Sequence, residues 1–186
     1  MYDELSRERA PYMSQAINFG VQELSKMTKL QAIPVAVIRQ WATQAVSDSG
    51  RDAIDLEEVR RYFPGMTKQD AEYMVASIQN TCRVFWDLQR PRSAGITHYI
   101  WKSDACQQHK HLDQLVCPID EPLPESITKD PSIHGPIYPG EGYHCLCYLA
   151  PVINAYDPPS PIHLYENGKI TTISKKEFIQ KCVPKN

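Results

Sequence analysis

Apolar residues in the first half of the chain recur every three or four positions. Ile17, Val21, Leu24 and Met27 share one helical face. Pro34 is placed to open a second helix carrying Ile38, Trp41, Ala42 and Ala45 on one side, and the polar run Ser47–Gly50 breaks it. Asp55 followed by Glu58 has capping-box spacing and predicts a short helix with Leu56, Val59 and Tyr62, ended by Pro64-Gly65. Thr67 and Asp70 then cap a longer helix whose apolar face is Ala71, Met74, Val75, Ile78, Cys82 and Phe85, with Pro91 as its end. The connections between these helices suit an antiparallel bundle, and the simplest role for their apolar residues is core.

Beyond Arg90 the pattern changes. Ile96–Trp101 is rich in β-branched and aromatic residues and predicts a strand, with Leu115–Cys117 as a short partner and Cys145–Leu149 as a third strand. Between them, Pro118–Pro139 is polar and proline-rich and predicts a long irregular loop. Pro151–Pro161 is a stiff linker holding Pro151, Pro158, Pro159 and Pro161. The tail predicts a hairpin, Ile162–Tyr165 and Ile170–Ile173, turning at Asn167-Gly168, then a short helix capped by Ser174 and Glu177. The fold class is therefore α+β. Residues 1–91 form a helical region, 92–151 a small β-rich module with a long loop, and 152–186 a linker, hairpin and short helix.

Composition narrows the function. The formal net charge of -2 over 186 residues gives no global electrostatic footprint for nucleic acid. No stretch is long and apolar enough for a membrane span, and the acidic Met1–Glu4 start does not read as a signal peptide. A cytosolic origin is expected, where thiols stay reduced. The six cysteines are then read as core residues or metal ligands before disulfides.

A loop as long as Pro118–Pro139 needs its ends tied. Before it lies a Cys-x-x-His pair, Cys106 and His109; after it lies a Cys-x-Cys pair, Cys145 and Cys147. Two short-spaced pairs flanking a loop are a common source of the four ligands of a tetrahedral structural zinc site. On a strand, Cys145 and Cys147 would point to one face. Three readings share these residues: a metal site, zinc foremost; reduced thiols packed as small hydrophobes; and a disulfide such as Cys106–Cys145, which the compartment disfavours.

The same region resembles the phage Mu F-like minor head protein family. The entry strand of that family ends in Tyr-x-Trp, then Lys or Arg and Ser or Thr, with an Asp close behind; here these are Tyr99, Trp101, Lys102, Ser103 and Asp104. A His-x-x-Leu-Asp-Gly element is matched by His109, Leu112 and Asp113. A Pro-Gly followed by Cys-Arg-Cys is matched by Pro139, Gly140, Cys145 and Cys147. The ordered set covers about Gly95–Pro151. Gln114 stands where the family has Gly, Leu146 where it has Arg, and the Asp104–His109 interval lacks the usual arginines and is about one residue short. Gln114 predicts a different or a strained turn, since Gly there would allow positive φ. The missing arginines remove a fork-shaped cation for carboxylate or phosphate.

The resemblance implies a minor capsid protein acting in head morphogenesis, located in the virion head and, during assembly, in the host cytoplasm. Its implied partners are the portal protein and other capsid components, with packaged DNA nearby and no small-molecule substrate. Amphipathic helices of the first half are the expected docking surface. Two other readings stand beside it. One is a metal-dependent hydrolase or nuclease built on Asp104, His109, His111 and Asp113, although no motif of known catalytic mechanics is present. The other is a zinc-stabilised interaction module with no phage role.

Overall fold

The structure is a computed structural model that describes residues 10–47, 53–154 and 157–183. Four helices come first: α1 (Met13–Lys26), α2 (Val35–Ser47), α3 (Leu56–Tyr62) and α4 (Lys68–Ser93). A five-stranded sheet follows, made of β1 (His98–Lys102), β2 (Val116–Pro118), β3 (Tyr148–Pro151), β4 (Ile162–Glu166) and β5 (Lys169–Ile173). A one-turn helix, α5 (Glu125–Thr128), lies within the long loop, and α6 (Lys175–Cys182) follows the sheet. The fold is α+β, as the two periodicities predict. Residues 48–50 of the expected break after α2, and residues 155 and 156 of the expected linker, lie outside the described residues. No helix among the described residues is long and apolar enough to cross a membrane.

The helix starts follow local chemistry. Thr67 Oγ1 accepts from the Asp70 backbone N–H at 3.1 Å, and Ser174 with Glu177 forms the reciprocal capping box. Asp55 caps α3 through the Glu57 N–H at 2.9 Å. The expected box with Glu58 is absent, because the Glu58 carboxylate is turned to Trp41 Nε1 and Gln40 Nε2 on α2. Tertiary partners outcompete a cap here. Pro91 does not end α4. Proline forfeits one helical donor but has a helical φ, so the last turn continues to Ser93 and the chain leaves it at Gly95, φ +72°.

The sheet order is β3-β1-β2-β4-β5. β1 runs antiparallel to both β2 and β3, with Tyr99 opposite Cys117 and Trp101 opposite Leu149. β2 meets β4 in parallel at Val116 and Leu164. The β4–β5 hairpin turns at Asn167 and Gly168, both at positive φ, the geometry a two-residue type I′ turn requires. Strand bounds shift by one to three residues from those read in the sequence. The larger change is at β3, which begins at Tyr148 rather than Cys145.

Side chains alternate across β1 and so serve two cores. Tyr99 and Trp101 join the large core formed with α1, α2 and α4. Ile100 faces the other way, into a second core with Val116, Val152, Ile162, Leu164, Phe178 and Cys182. The sheet is thus covered by the helical half on one face and by α6 on the other. Cys182, on the tail helix and outside the Cys/His module, is fully buried in this second core.

The long loop is tied down along its length. Leu123 and Ile137 exchange backbone hydrogen bonds of 2.9 Å in both directions, and Ile119 N–H donates to Thr97 O. Residues 132–134 pair with the end of α1 through a Met27–Ile133 bridge.

Candidate metal centre

Cys106 and His109 sit on a compact turn after β1. Asp113 Oδ1 accepts from the Ser103 N–H at 3.0 Å and draws the two ends of this turn together. Cys106 N–H donates to Ser103 O inside it, and a 3-10 turn over Lys110–Leu112 follows His109. Gln114 N–H then donates to Trp101 O, and Trp101 N–H to Leu115 O, which returns the chain to β2. Gln114 stands at φ +67°. The turn is therefore the strained alternative: a left-handed residue with a side chain where glycine would be free of cost.

Cys145 and Cys147 come from the irregular segment entering β3, not from a strand. Their convergence is set by the glycines and by α4. His144 N–H donates to Ser77 Oγ of α4 at 3.0 Å, with His144 itself at φ +64°. Gly140 takes φ +98°, and a Cβ there would lie 3.3 Å from both Cys147 O and Val84 Cγ2. Pro139 and Gly140 are buried. Close approach of the two backbones needs a residue without a side chain.

All four side chains meet. The Sγ atoms of Cys106, Cys145 and Cys147 each lie 3.5 Å from His109 Nδ1. The four donor atoms all fall within 4.8 Å of one another and all four residues are buried. Every cysteine among the described residues is a free thiol. This cluster could hold a metal ion, and it is the one such group of three or more ligating side chains among the described residues.

The other nitrogen of the imidazole has its own partner. His109 Nε2 lies 3.2 Å from Asp130 Oδ2, both side chains fully buried. Asp130 Oδ1 accepts from Ser132 N–H at 2.8 Å and from Ser132 Oγ at 2.7 Å. Trp101 closes one side, edge-on to the His109 ring at 5.7 Å. Asp130 and Ser132 were not singled out in the sequence. Their one local signal is the Asp-x-Ser pattern of an Asx turn, which says nothing of His109.

Burial and close packing shift the protonation of Cys106, His109 and Asp130. Hydrogen bonding with Cys145, then burial, push the Cys106 thiol up to about 12. Burial opposes a charge on His109, yet Asp130 and Cys145 beside it prevail and push it up to about 10. For Asp130, burial is outweighed by His109 and Ser132, so its carboxyl is held below the usual range. A metal ion bound among the three sulfurs would supply the positive charge that thiolate ligands need in a dry pocket.

The remaining residues singled out in the sequence take other places. Asp104 is exposed and accepts from Tyr148 OH at 3.0 Å. His111 Nε2 lies 3.0 Å from Ile127 O, and Asp113 is engaged with Ser103. Of the four residues considered for a hydrolase centre, only His109 reaches the cluster. Leu146, between the two cysteines, points outward and is 53% exposed. No family model, curated protein or solved structure matches this chain.

Proposed function

We propose that this chain is a phage or prophage minor head protein acting in head morphogenesis, built around a structural zinc ion. Cys106, His109, Cys145 and Cys147 hold the ion through three sulfurs and Nδ1. With Zn–S near 2.3 Å and Zn–N near 2.0–2.1 Å, a tetrahedral site has N···S edges of about 3.6 Å. The three observed edges of 3.5 Å fit that set. The zinc would act as a cross-link, joining the two ends of the long loop and contributing its binding energy to folding.

The observation that carries a structural rather than a catalytic role is the closed donor set. Four protein donors, all buried, leave no position for a water or substrate, whereas catalytic zinc keeps one open. A metal-dependent hydrolase on this site is disfavoured for that reason. The head assignment rests on the ordered motif residues. They cooperate in one construction: Trp101 packs on His109, Asp113 closes its turn, and Gly140 admits Cys147. Gln114 takes the left-handed backbone at the position where the family has Gly. The helical half is the surface proposed for the portal, and the virion head is the proposed location.

Two measurements test this. Elemental analysis of the purified chain is expected to find one zinc per chain, and a chelator to lower Tm by about 10 °C or more, since loss of a structural zinc removes several kcal/mol. The gene is expected to lie beside one for a portal protein, and co-expression of the two to yield a co-purifying complex. A gene with no portal or terminase neighbours, or a chain that ignores the portal, sinks the head assignment and leaves a zinc-stabilised interaction module.

A further inference from the structure

We propose that Asp130 links metal binding to docking of the α1 C-terminus, so that loading the Cys3His site tightens the hold on the Lys26–Thr28 segment. The inference rests on the zinc reading above and adds what the ion controls.

The connection is continuous and made of short contacts. Nδ1 of His109 faces the three sulfurs, and Nε2 lies 3.2 Å from Asp130 Oδ2. The other Asp130 oxygen holds Ser132 by both its N–H and its Oγ. Ser132 O accepts from Thr28 N–H at 2.9 Å, and His134 N–H donates to Lys26 O at 2.9 Å. Thr28 Oγ1 donates to Pro131 O, and Lys26 Nζ donates to Pro136 O, both at 3.1 Å. Between them Met27 and Ile133 form a bridge, with both side chains in the large core. Asp130 thus touches a metal-site residue and also orders the segment against which α1 ends.

The physical logic is that of an outer-sphere carboxylate. A ligating histidine is fixed in tautomer and orientation by the acceptor on its other nitrogen, and that acceptor is fixed in return. Without a cation the His109 ring loses the bond that would fix its Nδ1 side, so its contact with Asp130 is less firmly held. The hold that Asp130 and Ser132 keep on residues 131–134, and through them on Lys26–Thr28, loosens with it. α1 packs on α2 and α4, so its end governs one side of the helical half. Asp130 is a positioning residue, acting on the ion through His109.

The test uses the full chain with zinc as the probe. Amide exchange followed by NMR is expected to show Thr28 and His134 strongly protected with zinc and fast after chelation, while Trp41 within α2 changes little. Chelator competition is expected to give Asp130→Ala a zinc affinity lower by about 10–100-fold, with Asp130→Asn recovering part of it. At saturating zinc, Asp130→Ala is expected to leave Thr28 and His134 exchanging fast, while cobalt substitution still gives the tetrahedral thiolate spectrum. Three results overturn the proposal: unchanged exchange at Thr28 and His134 on chelation, loss of protection spread evenly through α2 and the sheet, or wild-type affinity in Asp130→Ala. A wild-type chain that takes up no zinc refutes the metal reading itself, which the other outcomes leave standing.

Discussion

Gln114 donates its backbone N–H to the Trp101 carbonyl at 2.8 Å while its own backbone stands at φ +67°. The bond carries the β1–β2 ladder past the turn that presents Cys106 and His109. A left-handed backbone costs a residue with a side chain about 1 kcal/mol. Lys102 Nζ, donating to Gln114 Oε1 at 2.8 Å, offsets part of that. Gln114→Gly is therefore expected to raise stability by about 0.5–1 kcal/mol, and Gln114→Val to lower it by about 1–2 kcal/mol. Urea unfolding decides; a glycine variant less stable than wild type contradicts the strain.

Gly142 and Gly135 form a matched pair. Both take positive φ, but a Cβ on Gly142 would lie 2.8 Å from Asp130 Oδ2 and 3.2 Å from Ser132 Oγ, while one on Gly135 would meet nothing within 4 Å. Gly135→Ala is expected to cost only backbone strain, about 1 kcal/mol, and Gly142→Ala about 2–3 kcal/mol. Only Gly142→Ala is expected to weaken metal retention, because it displaces the carboxylate behind His109. Equal losses in the two variants would remove the steric argument.

Glu141 is fully buried, and its Oε2 accepts from Tyr138 N–H at 2.9 Å. Burial, then the neighbouring Glu23, hold its carboxyl well above the usual carboxylate range. The folded state thus keeps the Glu141 proton more tightly than the unfolded chain does. Its contribution is full below the unfolded carboxylate pKa and is lost as pH rises through the folded value. Glu141→Gln, which cannot ionise yet keeps an acceptor for Tyr138 and a donor for Glu23, is expected to gain on wild type as pH rises. Urea midpoints compared from pH 4 to pH 9 measure this; a gap that stays constant or narrows rules it out.

Cys182 tests the second core. It is fully buried against the sheet face opposite the metal centre. Cys182→Ser places a hydroxyl among Phe178, Ile100 and Val116, at an expected cost of about 1–3 kcal/mol. Zinc stoichiometry is expected to stay unchanged, since no ligand lies on that face. Cys145→Ser is expected to lose stability and zinc together. Zinc loss in Cys182→Ser would mean that the two faces are not independent.

The sequence by itself determined the features whose causes lie within a few residues. The caps at Thr67 and Ser174 and the Asn167-Gly168 turn follow from backbone donors and left-handed φ, which local side chains satisfy or permit. The helix faces follow from period, and the four clustered residues from two short spacings beside a loop that needed tying. Tertiary structure alone decided the rest. Asp130 reaches His109 only because the loop folds back, and no local spacing relates them. Cys145 and Cys147 converge through Gly140 and a bond to Ser77 on α4, not through strand alternation. Glu58 left its capping position for Trp41. Cys182 entered a core because β2 pairs with β4 in parallel and brings α6 over the far face of the sheet. In each case the deciding partner is distant along the chain, and only burial of apolar surface brings it into range.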